Sequence, residues 1–411
     1  MKRLEALALA LAACSAAAQP VAELPATVTL EEVLGIVARS PRIAASERDA
    51  DAARAERTAA GAFLNPSVSV GRLRPAGGDR TVFDANSLQQ ATVELPIPIF
   101  GQREARVRAA ERQVGRADSM IRMTQSEIRR QAALEFVRLL TAQEQLEARR
   151  AAAAEVERIR GLVSGRLASG MASRYDLARA DAELALAGLA TQRAEIEVGE
   201  HAAALAALAD APNWRPRAAG ALQSLRGGTN VDAGVDAVLS KNPVSLVARQ
   251  ETSVAEARIE VAQRERLPVP SIALGRTWTS GPFGAANFIG LSSEIPILDD
   301  RRALEDKARA EADAARERER ATNATLRAEY QRHRDSLRVR RAALARFESA
   351  VAERQAPILE MAESAYRLGR GGLFELLDAR RTQVDAATAR LELIGAIVEA
   401  EIELRALAGE L

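Results

Sequence analysis

The sequence predicts a mainly α protein with a small β part: long α-helical coiled-coil hairpins that carry four β-strands per chain. Three observations lead there. First, Pro66-Ser-Val-Ser-Val-Gly-Arg72 returns roughly 200 positions later as Pro270-Ser-Ile-Ala-Leu-Gly-Arg276, and Glu94-Leu-Pro-Ile97 returns as Glu294-Ile-Pro-Ile297. A unit of about half the chain is therefore duplicated. Second, Gln102 to about Leu162 lacks proline, and Val107, Val114, Ile121 and Ile128 recur every seventh residue, the seam of a coiled coil. Third, short segments beside the duplicated prolines alternate apolar and small polar residues, the period of a strand with one greasy face and one wet face.

Composition agrees. The chain has 411 residues and is 47% apolar, much of it alanine, with only 3% aromatics. Alanine buries little area per residue, which suits helices packed side by side better than an enzyme core. A net charge of +1 creates no field for nucleic acid.

Lys2 and Arg3 precede an apolar run from Leu4 to Ala13, the pattern of an export signal in residues 1–18. Ala16-Ala17-Ala18 suits a signal peptidase, while Leu11-Ala12-Ala13-Cys14 has the form of a lipobox that would leave Cys14 acylated. Both sites stand on the sequence. Cys14 is the only cysteine, so no internal disulfide can form. No later stretch reaches the ~18 apolar residues of a membrane helix.

Residues 19–28 read as a linker without structure. The first repeat spans 30–209. It begins with a short helix capped by Thr29 or Thr27, and Ser40-Pro41 starts a second helix that stops before Asn65-Pro66, since proline suits a first turn but ends a helix elsewhere. A β-hairpin follows over 66–97, then a helical hairpin over 101–209, reversed by Gly161, Gly165 and Gly170. Residues 210–231 connect the halves. The second repeat, 232–411, has its β-hairpin at 270–297 and its helical hairpin at 300–409, with a turn at Gly369-Arg370-Gly371-Gly372 and a kink or register change at Pro357. Phe63, Phe83, Phe100, Trp278, Phe283 and Phe288 lie in or beside the β-hairpins, where an interfacial girdle would stand.

Four amphipathic strands cannot close a membrane barrel, and an open edge in lipid leaves amides unpaired. If the strands enter a membrane, several chains must share a barrel. Two chains give eight strands and three give twelve, and only the larger barrel leaves a wet lumen.

The layout, with Tyr366-Arg-Leu-Gly369 leading to Glu375-Leu-Leu-Asp378-Ala379, resembles the TolC-like outer membrane efflux proteins over nearly the whole mature chain. Leu95-Pro-Ile-Pro-Ile-Phe-Gly-Gln-Arg103 is similar to the subgroup serving heavy-metal pumps of the resistance-nodulation-division (RND) class. The resemblance implies a homotrimer in the outer membrane of a Gram-negative bacterium, with a shared trimeric 12-stranded outer membrane β-barrel on a periplasmic helical tube. It also implies a role as passive exit duct of a tripartite pump, joined by a periplasmic adaptor to an inner membrane transporter, with metal cations or other small toxic solutes as cargo. The alternative is a periplasmic coiled-coil scaffold or adaptor without a barrel.

The resemblance makes Glu375 and Asp378 candidates for the periplasmic aperture, with Asp176 matching Glu375 in the first repeat. Three chains would gather six carboxylates from the pair, a ring that can favour cations or hold a closed state. The plainer explanation is that acids suit the first turn of any helix. Asp176 is followed at i+3 by Arg179 rather than an acid, and Arg179 is expected to pair with an acid across the hairpin. Gly170, Ser173, Gly369, Gly371 and Gly372 form the turns that would meet the adaptor, although tight turns need glycine in any case. Alternation points Glu94 and Glu294 toward the wet face and so toward the lumen. His201 and His333 are the only histidines and sit in separate helical stretches, so no metal site is expected. No phosphate loop or serine elbow is present. The reading is of a channel that is not an enzyme and has no cofactor.

Overall fold

The computed structural model describes residues 24–74, 87–222, 234–279 and 284–411, without side chains for 351–356. The expected export signal, Cys14, Phe83, Phe283 and residues 223–231 of the connector lie outside the described residues.

In the first repeat, β1 (Thr27–Val28) precedes α1 (Leu30–Val37) and α2 (Pro41–Ala60). Thr29 caps α1, and Glu32 closes the reciprocal box by accepting the Thr29 N–H at 2.8 Å, which satisfies two otherwise orphaned donors. Strands β2 (Ser67–Leu73) and β3 (Leu88–Pro96) follow, then α3 (Gln102–Ala168), α4 (Arg174–Leu208) and β4 (Arg217–Ala218). The second repeat carries α5 (Val235–Lys241), α6 (Pro243–Glu265), β5 (Pro270–Thr279), β6 (Ala285–Ser293), α7 (Arg302–Phe347), a π turn at Glu348–Ala352, α8 (Glu353–Arg367) and α9 (Leu373–Leu407). At 67 residues and ~1.5 Å per residue, α3 is ~100 Å long. Among the described residues no helix is long and apolar enough to cross a membrane.

The two β-hairpins form one four-stranded antiparallel sheet in the order β2-β3-β5-β6. The repeats thus meet at β3 and β5, with Thr92 opposite Gly275. Strands β2 and β6 are left as edges.

The main core lies partway along the helices. Phe136 and Leu139 of α3, Leu205 of α4, Leu337 and Leu344 of α7, and Ile394 and Ile397 of α9 are all fully buried there. Each such side chain contributes about 1.5–3 kcal/mol of transfer free energy. Close approach is enforced at Gly395, where an added Cβ would lie 2.7 Å from Thr141 Oγ1. A second, smaller cluster sits at the far end of the helical hairpins, where Ile159 and Val163 of α3 and Ala180 of α4 meet Tyr366 of α8 and Leu373, Leu376 and Leu377 of α9. An alanine seam of Ala50, Ala53 and Ala117 holds α2 against α3.

Three local expectations change. Thr27–Val28 does not belong to an unstructured linker: it pairs in parallel with Arg217–Ala218, beside a 2.9 Å hydrogen bond from the Trp214 indole to the Pro25 carbonyl. Gly161 and Gly165 lie inside α3, because only Gly170, at φ 75°, needs the left-handed conformation. The register change expected at Pro357, which sits within α8, is found a little upstream, at the π turn. A proline cannot donate to the carbonyl four residues back, and a π turn re-registers the chain before that gap. Phe288 is not part of a girdle, because it pairs directly with Gly275 and so shares the face of the small polar residues.

Candidate functional site

At the helical tips the two repeats use the same device. Ser173 caps α4: its hydroxyl accepts the Asp176 N–H at 3.1 Å, while Asp176 Oδ2 accepts the Ser173 N–H at 2.9 Å and its hydroxyl at 2.7 Å. These bonds, the backbone one foremost, hold the Asp176 carboxyl below the usual carboxylate range. In the second repeat Glu375 occupies the corresponding position and accepts the Gly372 N–H. Glycine offers no hydroxyl in return, so only half of the reciprocal pair exists. Asp378, one turn on, is exposed like Glu375. Gly170 and Gly369 take φ of 75° and 69°. Gly371 is held close, since a Cβ there would lie 3.0 Å from that of Ala365.

Arginines lock the two hairpins together. Arg166 of α3 donates to the Tyr366 carbonyl and places its guanidinium 4.7 Å from the Tyr366 ring centre. Arg179 of α4 stacks 4.9 Å over Phe374. It therefore meets an aromatic face, not the acid expected from the sequence. Guanidinium stacking of this kind contributes roughly 0.5–2 kcal/mol. Arg158 reaches Glu363 at 3.0 Å, and Arg381 reaches Glu183 at 2.8 Å. All four contacts join the first hairpin to the second. Sequence spacing could not reveal them, because each partner lies about half a chain away.

At the other end of the molecule, the sheet is inverted relative to a soluble one. One face carries Ser67, Glu94, Ala273 and Gly290 in one row and Ser69, Thr92, Gly275 and Phe288 in another. The opposite face carries Val68, Val93, Leu274 and Ile289, then Leu95, Ile272 and Leu291. The apolar face is the exposed one: Val70 is 80% exposed, Ile289 77% and Leu291 77%. Along β5 the polar-face residues Ser271, Ala273, Gly275 and Thr277 are half-buried, so the sheet curls with its polar face inward. Glu94 lies on that inner face and accepts from the Ser292 hydroxyl. Glu294 is exposed and follows the last residue of β6. Phe288 lies across Gly275, where a Cβ would overlap its ring, an arrangement that shields a strand glycine.

His201 pairs with Glu135 at 3.0 Å. Burial, with help from Arg332, pushes the His333 imidazole down. Among the described residues no three His, Cys, Asp or Glu side chains converge to hold a metal ion.

An inward polar face, an outward apolar face and helices of ~100 Å define a class: a channel-type protein whose strands enter a membrane and whose helices stand clear of it. The chain belongs to the outer membrane efflux protein family, whose profile matches residues 36–210 and 234–410. It is 25% identical over 311 residues to the cobalt-zinc-cadmium resistance protein CzcC of Cupriavidus metallidurans, covering 75% of this chain and 74% of that one. Among solved structures it matches the outer-membrane channel OprN with a TM-score of 0.80 at 18% identity, over 93% of this chain and 90% of that one. The outer membrane protein VceC of Vibrio cholerae matches with a TM-score of 0.77 at 16% identity, over 92% and 96%. These likenesses establish a shared TolC-like fold. The protein resides in the outer membrane of a Gram-negative bacterium, with its helical part in the periplasm.

Proposed function

We propose that three copies close a twelve-stranded barrel and form the passive exit duct of a tripartite efflux pump. The observation that carries this is the four-stranded sheet with its apolar face outward and both edges, β2 and β6, unpaired. Such edges are tolerated in a bilayer only when another chain completes them. Energy comes from partners: a periplasmic adaptor docks at the tips around Gly170, Ser173, Gly369, Gly371 and Gly372, and an inner membrane transporter of the RND type drives transport. Metal cations are the proposed cargo, on the strength of the CzcC relationship. Glu375 and Asp378 act at the periplasmic aperture with Asp176 nearby, Glu94 and Glu294 line the lumen, and Cys14 carries a lipid anchor. The capping bond of Glu375 leaves Asp378 as the freer carboxylate of the pair.

The experiment pairs single cysteines along β2 with Ile289→Cys in a Cys14→Ser background. Oxidation is expected to produce covalent trimers; a ladder that ends at dimers, or only monomers, overturns the twelve-stranded barrel. In planar bilayers Asp378→Ala is expected to reduce cation selectivity more than Glu375→Ala. Unchanged selectivity in the double variant would eliminate the aperture role.

A further inference from the structure

The outward face of the sheet is broken at one end by basic and amide side chains that the duct itself does not use. By register, Arg72 stands opposite Gln89, and Gln89 opposite Trp278. The next row on the same face carries Val70, Ala91, Arg276 and Asn287. Arg74 follows β2 at the next alternate position. Arg72, Arg74 and Arg276 are all exposed, and the Arg276 guanidinium lies 5.7 Å from the Trp278 ring centre. Among the described residues no acid stands on this face of the four strands, and none of the three arginines makes an ion pair.

Chain connectivity fixes which end this is. The helices join the strands beside Ser67, Pro96, Pro270 and Ser293, and the arginines lie at the opposite end, where the strands turn back. With the helices in the periplasm, the arginines stand at the outer leaflet. A cation on the lipid face costs about 2–4 kcal/mol at the bilayer midplane and little near the interface, so these side chains belong at headgroup level, where Trp278 also anchors. Arg72 and Arg276 stand two strand spacings apart across the sheet and two residues apart along it, about 12 Å in all, with Gln89 and Ala91 between them. Planar guanidinium forks match phosphate oxygens in pairs.

We propose that Arg72, Arg276 and Gln89 form a binding site for the phosphorylated headgroup of an outer-leaflet lipid, with Trp278 packed against its sugar or acyl root. The site rests on the reading of the sheet as part of a membrane wall, and on neither the cargo nor the aperture. It would fix the height and tilt of the barrel in the bilayer.

The test uses the full chain purified in detergent, with lipid retention counted by native mass spectrometry. Diphosphoryl lipid A is compared with its dephosphorylated form. The wild type is expected to retain the phosphorylated lipid about tenfold more tightly, and Arg72→Gln/Arg276→Gln to lose that preference. Arg72→Lys/Arg276→Lys, which keeps charge but not the fork, is expected to retain part of it. Equal retention of both lipids by the wild type overturns the site and leaves arginines that only snorkel to water. A preference that survives in the Gln variant also overturns it. Should the Gln variant fail to assemble, the wild-type comparison and the Lys variant still decide. Planar-bilayer conductance of the same preparations separates the two readings: a conducting wild type without lipid preference removes this site alone, whereas a protein that neither conducts nor retains lipid removes the membrane wall.

Discussion

Ser173 shows how a single side chain sets the end of a helix a hundred ångströms from the membrane strands. Its hydroxyl and Asp176 satisfy each other's backbone donors. Ser173→Ala is expected to cost about 1 kcal/mol locally, seen as faster amide exchange in the first turn of α4. The pH dependence follows from the lowered Asp176 carboxyl. Its contribution is complete above the unfolded carboxylate pKa of about 3.9 and disappears as the pH falls through the lower folded value. In Ser173→Ala, which lacks the hydroxyl's share of that lowering, the loss should be smaller and complete at a higher pH. Gly395 gives a second residue-scale prediction. Gly395→Val would press into Thr141, costing about 1–3 kcal/mol, and Thr141→Ala should restore most of the loss in thermal melts followed by helical signal. The acidic step shared by the repeats is visible in the sequence. That both carboxylates turn back onto their own helix ends is not, because capping depends on the extended backbone at 173 and 372. Phe288 makes a related point: composition locates an aromatic along a strand, but alternation and register put it on the face of Gly275 and Gly290.

Among the elements, the strands were the more legible, since period two is a property of consecutive residues. Which face turns outward depends on the curl of the whole sheet. Leu274→Arg, on the outward face, is expected to cost about 2–4 kcal/mol and to reduce assembled protein in the outer membrane fraction. Thr92→Arg, on the inward face of the neighbouring strand, should assemble normally. Equal defects in both would mean that the faces are wrongly assigned. The helices were legible in kind but not at their ends, because interior glycines such as Gly161 and Gly165 are tolerated in a long helix at about 1 kcal/mol each. In the second outgoing helix, Pro357→Ala should restore the missing backbone donor, with slower amide exchange around the π turn and a gain of up to ~3 kcal/mol.

Over the whole molecule, duplication could be read from two short repeated segments, and the mainly α fold with its small β part followed. The fastenings of each half could not be read, because two-residue strands have no period to detect. The beginning of the first half is tied to its end by β1 and β4. The second half closes likewise: the Asn242 side chain donates to the Leu407 carbonyl at 2.9 Å, and Gly409, at φ 69°, lies against the Lys241 backbone. Leu24 and Leu30 near one terminus and Leu407 and Leu411 near the other all pack on the same central cluster. Termini so placed favour circular permutation. A chain that keeps residues 1–23 in front, starts its folded part at residue 234, runs through 411 into a short flexible linker to residue 24, and ends at 222 should therefore give the native circular dichroism spectrum and the same assembled form. The order in which the two halves are translated then records their ancestry and places no demand on their folding.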